Sequence, residues 1–140
     1  MTNLDVVENK ISQIRKYLKL LAGFKKLSEQ KIALDPILSG ALLHYLYVAT
    51  QATIDLAEAV ISFKKFRKPT IYSENFDILY EEKLISGRLK ESLRKMAGFR
   101  NFIAHDYGNV DFAIVYGVLK EGTKDIEKFA KLMAEKLKLN

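Results

Sequence analysis

Leu4, Val7, Ile11, Ile14, Leu18 and Leu21 recur at alternating spacings of three and four residues. That period places all six on one stripe of a long amphipathic helix and is incompatible with a strand, whose side chains alternate every second residue. The same pattern returns along the chain. Asp35 and Pro36 supply a capping residue and a first-position proline for a second helix, expected from about Pro36 to Phe66. It carries Leu42, Leu46, Ala49, Leu56, Val60 and Phe63 on its inner side, and the basic run "KKFRK" before Pro69 ends it. Between these two helices Gly23 weakens the first, and Ser28 is placed to cap a short turn, "SEQKIAL". A shorter helix is expected over about Tyr72 to Leu84. Gly87 breaks the pattern, and a fourth helix from about Arg88 turns Leu89, Leu93, Met96 and Ile103 inward. A final one over Lys124 to Leu139 buries Ile126, Phe129, Met133 and Leu137. "DFAIVYGVLK" is rich in β-formers, but a lone strand would have no partner, so a short helix is expected there. The fold class that follows is all-α: an antiparallel bundle of four main helices with one or two short extra ones.

The chain's 140 residues suit one domain, 1–140, with a real core, and 29% charged residues beside 49% hydrophobic ones make it globular. The longest apolar run considered, "ALLHYLYVA", is far shorter than a bilayer span, and "MTNLDVVENK" lacks a signal pattern, so no membrane association and a cytoplasmic location are expected. Cysteine is absent, which excludes disulfides and thiol nucleophiles and leaves few soft ligands for zinc. The net charge of +6 would draw in polyanions, although a solvated basic surface accounts for it equally well.

The stretch "FRNFIAHDYG", residues 99–108, concentrates Arg100, Asn101, His105 and Tyr107 at the end of the fourth helix. Asn101 and His105, four apart, share a face, while Arg100 would join them if the last turn loosened. An imidazole exchanges protons near neutral pH, a guanidinium clamps phosphate oxygens, and an amide fixes which imidazole nitrogen carries the proton. These are the parts required to cleave RNA without a metal: the 2′-hydroxyl attacks, His105 moves the proton, and Arg100 stabilises the charge on the phosphoryl oxygens. The competing reading is an ordinary helix end, where cations and hydrogen-bonding side chains favour the last carbonyls.

"FRNFIAHDYGNVD" resembles the R-x-x-x-x-H-x-Y signature of the HepT-like branch of the HEPN superfamily, helical ribonuclease toxins paired with a minimal nucleotidyltransferase antitoxin in a type VII-like system. "LYVATQATIDLA", "RKPTIYSENFDILYEEKLIS" and "LRKMAGFRN" resemble further segments of that family, so the likeness spans about residues 4 to 135. The resemblance implies that Arg100 and His105 are catalytic, that Asn101 supports them, and that Tyr107 is where the partner attaches AMP. It also implies a homodimer whose two motifs face one another, so that symmetry supplies a second proton-transfer group. Gly98 would then let two helices approach closely, or is simply tolerated near a helix end.

Gln51 and Asp55 form either a helix-surface pair or part of the cleft that orients Arg100. Lys90, Arg94 and Lys95, with Lys64, Lys65, Arg67 and Lys68, are candidates to track an RNA backbone, or are solvated. His44 is expected at an interior or boundary position outside the site. Asp77 and the Glu81–Glu82 pair are too diffuse for a metal site, and neither metal nor cofactor is expected. The expected partners are RNA, the nucleotidyltransferase and a second copy of the chain. Two rival functions remain at this point: a non-catalytic subunit presenting nucleotide or substrate to a nucleotidyltransferase, and a helical adaptor.

Overall fold

The computed structural model describes residues 2–105 and 111–139, with only the backbone of Ala104 and His105. Tyr107 therefore lies outside the described residues, as does the side chain of His105. The elements are α1 (Asn3–Phe24), α2 (Glu29–Ala33), α3 (Pro36–Lys64), α4 (Glu74–Glu81), α5 (Gly87–His105), α6 (Phe112–Gly117) and α7 (Thr123–Lys136), with a π-helical turn, Val118–Gly122, joining the last two. No strand occurs among the described residues, so "DFAIVYGVLK" is helical as its isolation in the sequence implied.

Caps set the boundaries. Thr2 and Asp5 form a reciprocal capping box on α1, in which each side chain accepts from the other residue's backbone N–H, at 3.0 and 3.1 Å. Ser28 caps α2 through Lys31 N, and Asp35 Oδ1 accepts from Ile37 N and Leu38 N at the start of α3. The fourth long helix begins one residue earlier than expected, because Ser86 Oγ accepts from Leu89 N and makes Gly87 the first helical residue rather than a break.

α3 is the central helix. α1 packs most extensively against it, α5 and α4 lie along its other sides, and α7 closes the bundle against α1, α3 and α5. Leu42, Leu46, Ala49, Leu56 and Val60 are fully buried, and Phe76 of α4 meets Phe129 of α7 edge-on at 5.9 Å. At 29 residues and a mean hydropathy of 1.2 over its most apolar stretch, α3 is long and apolar enough to cross a membrane, contrary to the expectation drawn from the shorter run "ALLHYLYVA". Contact with three neighbouring long helices gives that apolar length a use in the core. Two burial expectations fail, an inward Phe63 and an interior or boundary His44. Phe63 is exposed because α3 outruns its neighbours, Ile61 being its last buried residue. His44 is exposed too, since Leu42, Leu43 and Leu46 take the core positions around it.

Candidate active site

α5 is helical through His105 and shows no loosened last turn up to that residue, so Asn101 and His105 keep positions one turn apart. Arg100 points across to α3. Its Nε donates to Gln51 Oε1 at 2.7 Å, Nη1 to Asn101 Oδ1 at 2.9 Å, and Nη2 to the Tyr47 hydroxyl at 3.4 Å. The rings of Tyr47 and Tyr72 lie 5.4 and 5.3 Å from the guanidinium carbon, within cation–π reach. A guanidinium has five N–H donors and three are engaged by these partners, so the fork is oriented with capacity remaining for an oxyanion.

Gln51 is oriented in turn. Its Nε2 donates to Asp55 Oδ1 at 2.9 Å, which fixes the amide so that its oxygen faces Arg100, and Asp55 Oδ2 pairs with Lys10 Nζ at 3.3 Å. Gln51 and Asp55 are thus a helix pair of which Gln51 bonds Arg100, and neither lines the cleft beside it. The relay crosses three helices, from Lys10 on α1 through α3 to α5.

Arg100 and Asn101 border a cleft of about 950 Å³ that continues past Gly98, Ala97 and Arg94 on α5, the 69–73 loop, and Glu58 on α3. Arg94 lines it, but its guanidinium is bonded to the Asp77 carboxylate. Lys90 stacks over the Tyr80 ring at 4.4 Å and pairs with Glu91 at 3.3 Å. Lys95 is exposed elsewhere, beside a hollow that Glu121 and Asp125 share. Arg67 is committed to α4, with a two-pronged bond to Glu81 at 2.7 and 3.1 Å and Glu74 at 3.3 Å. The Glu58 carboxyl is raised above the usual carboxylate range, first by burial and then by Asp55, with the Asn75 amide opposing the rise. An added Cβ at Gly98 would meet nothing within 4 Å, so Gly98 contributes open space to the cleft and no close helix contact within this chain.

Tyr47, Lys10, Asn75 and Glu58 were not singled out in the sequence. The available signal was the spacing Tyr47, Gln51, Asp55, Glu58, which follows one face of α3 at helical intervals.

A family model described as Ribonuclease HepT-like matches residues 7–133. The chain belongs to the HepT-like family. It is 28% identical over 125 residues to an mRNA nuclease HepT of Shewanella oneidensis, covering 89% of this chain and 93% of the relative. A tRNA nuclease HepT of Aphanizomenon flos-aquae is 28% identical over 118 residues, covering 79% and 77%. Among solved structures, a tri-AMPylated Shewanella oneidensis HEPN toxin in complex with MNT antitoxin superimposes with a TM-score of 0.85 at 26% identity, over 96% of this chain and 99% of that one. The described residues therefore share the fold of that HEPN toxin.

Proposed function

We propose that this HepT-like chain is a metal-independent endoribonuclease and the toxin of a toxin–antitoxin pair with a nucleotidyltransferase. What carries the reading is Arg100, held by Gln51 and Asn101 at the edge of a cleft, with Asn101 one helical turn before the position of His105 and Arg100 five residues before it. The nuclease names of its relatives and the antitoxin bound to a similar toxin support it.

In this mechanism His105 takes the proton from a ribose 2′-hydroxyl, the 2′-oxygen bonds to phosphorus, and the bond from phosphorus to the 5′-oxygen breaks. The products are a 2′,3′-cyclic phosphate and a 5′-hydroxyl, the leaving oxygen taking a proton from His105 of a second copy across a homodimer cleft. Arg100 stabilises the charge on the non-bridging oxygens. Asn101, Gln51 and Asp55 position these groups. Tyr107, two residues after His105, is the site for AMP: the anionic adduct would compete with RNA phosphate for Arg100.

Purified, unmodified protein should cut single-stranded RNA in the presence of a chelator and leave a 2′,3′-cyclic phosphate, and Arg100→Ala or His105→Ala should abolish the cut. Activity lost in chelator and restored by magnesium overturns the mechanism. Full activity in His105→Ala overturns the site, and intact folding with nucleotidyltransferase binding but no cleavage returns the chain to the role of a binding subunit. Tyr107→Phe should remain active after co-expression with the nucleotidyltransferase, whereas the parent should be silenced.

A further inference from the structure

The cleft beside Arg100 is longer than a phosphate requires. Gln51, which holds Arg100, and Glu58 are seven residues apart on α3, about 10 Å along the helix axis. Arg94 and Arg100 span about 9 Å along α5 on the opposite wall. A nucleoside attached to a phosphate at Arg100 would lie along these two walls with the far edge of its base at Glu58.

The lining changes character along that length. At the Arg100 end there is a cation with donors to spare. Beyond the guanidinium the lining includes small or flat surfaces: Gly98, Ala97, Pro69 and Tyr72, whose exposed ring also faces Arg100 at 5.3 Å. Arg94 adds no net charge, because Asp77 neutralises it, so a second phosphate has no counter-charge there. Glu58 at the far end is a carboxylate beside the fully buried Asn75, whose Nδ2 donates to the Tyr72 carbonyl at 2.9 Å. That bond ties the carboxylate's neighbour to the backbone of the residue whose ring forms the flat wall.

We propose that this cleft is a nucleobase subsite and that Glu58 selects guanine on a nucleotide flanking the phosphate held by Arg100. A carboxylate only accepts hydrogen bonds. Guanine alone presents two adjacent donors, N1–H and the N2 amine, matching the two carboxylate oxygens. Adenine and cytosine set one amine beside an acceptor ring nitrogen, which would face the second oxygen repulsively, and uracil flanks its single N–H with two carbonyls. Selection thus combines attraction to one base with repulsion of three. The proposal rests on the ribonuclease reading for its substrate, although the subsite can be tested without cleavage.

The test uses short oligodeoxynucleotides containing one ribonucleotide, with the base on each side of the single cleavable bond varied in turn. The parent should show kcat/KM at least about tenfold higher for guanine at one of the two sides, as a well-formed pair of base contacts provides. Glu58→Gln should remove that preference, lowering the rate with guanine and raising the rates with the bases that the carboxylate repelled. A ratio between substrates is insensitive to the fraction of folded protein, so a merely structural role for Glu58 would not move it. In parallel, guanosine and cytidine monophosphates are titrated into parent and Glu58→Gln, following the backbone amides of Asn75 and Gly98 by NMR. Guanine-selective binding without cleavage of any oligonucleotide sustains the subsite and overturns the ribonuclease reading. Equal use of all four bases, or a guanine preference that survives in Glu58→Gln, overturns the subsite, and the first of these is the result expected if a second copy of the chain fills the cleft.

Discussion

Glu58 carries a consequence for stability that does not depend on any ligand. Its carboxyl is raised by burial and by Asp55, so the folded protein binds that proton more tightly than the unfolded chain does. The favourable contribution is fully present below the unfolded carboxylate pKa of about 4.3 and is lost as pH rises through the higher folded value. Glu58→Gln, uncharged at every pH, should therefore have a higher Tm than the parent at pH 7, with the gap closing as the pH approaches about 4. The effect is small because Glu58 is exposed to solvent, which screens it, and its sign is the informative quantity. A thermal melt series showing a lower Tm for the variant at neutral pH would contradict it. At this scale the Gln51–Asp55 pair was legible in the sequence, since polar groups at helical spacing stand out against the apolar α3, and Arg100 and Asn101 drew attention through the motif they share with His105. Tyr47 was not, because an aromatic on α3 has the same pattern whether it enters the core or turns its hydroxyl and ring toward a guanidinium.

The helices were legible from their period, and the discrepancies lie where a cap or a widened turn overrides it. Ser86 is the example at the start of α5: Gly87 reads as a break, yet the hydroxyl of the preceding serine satisfies Leu89 N and lets the helix begin on the glycine. Ser86→Ala should cost about 1 kcal/mol of stability, measured by denaturant titration. Loss of stability below about 0.3 kcal/mol would show that water caps α5 equally well. The α6 and α7 helices were both expected, but as separate elements, whereas helical structure runs from Phe112 to Lys136 through the π turn between them. A Cβ at Gly122 would come within 2.9 Å of Met96 Cε and 3.1 Å of Val118 Cγ1, so this glycine permits the turn to press against α5. Tyr116 Oη donates to the Leu27 carbonyl at 2.8 Å and Lys120 Nζ to that of Lys25 at 2.9 Å, which fastens the segment to the α1–α2 connection. No local pattern in the sequence announces bonds between residues 89 and 95 positions apart.

Across the whole molecule, the excess of six positive charges is distributed differently from its appearance in the sequence. Many basic side chains already have anionic partners: Lys10 has Asp55, Arg67 has Glu74 and Glu81, Lys90 has Glu91, Arg94 has Asp77, and Lys124 has Glu121. A cation answered within the protein does not release a counterion from a nucleic acid on binding, whereas one that newly neutralises a phosphate does. Arg100 differs from Arg67 in this respect, its described partners all being neutral: an amide from Gln51, another from Asn101, and the tyrosines. The salt dependence of binding should therefore single it out. For a single-stranded 2′-deoxy oligonucleotide, which offers the phosphates but no hydroxyl to attack, the slope of log K against log salt should become shallower by about 0.7 in Arg100→Gln. Arg67→Gln should leave the slope unchanged, although the two substitutions remove the same formal charge. Fluorescence anisotropy over about 50 to 200 mM salt measures both. Equal shifts in the two variants would mean that binding responds to net charge alone, and that the guanidinium held at the cleft mouth meets no phosphate.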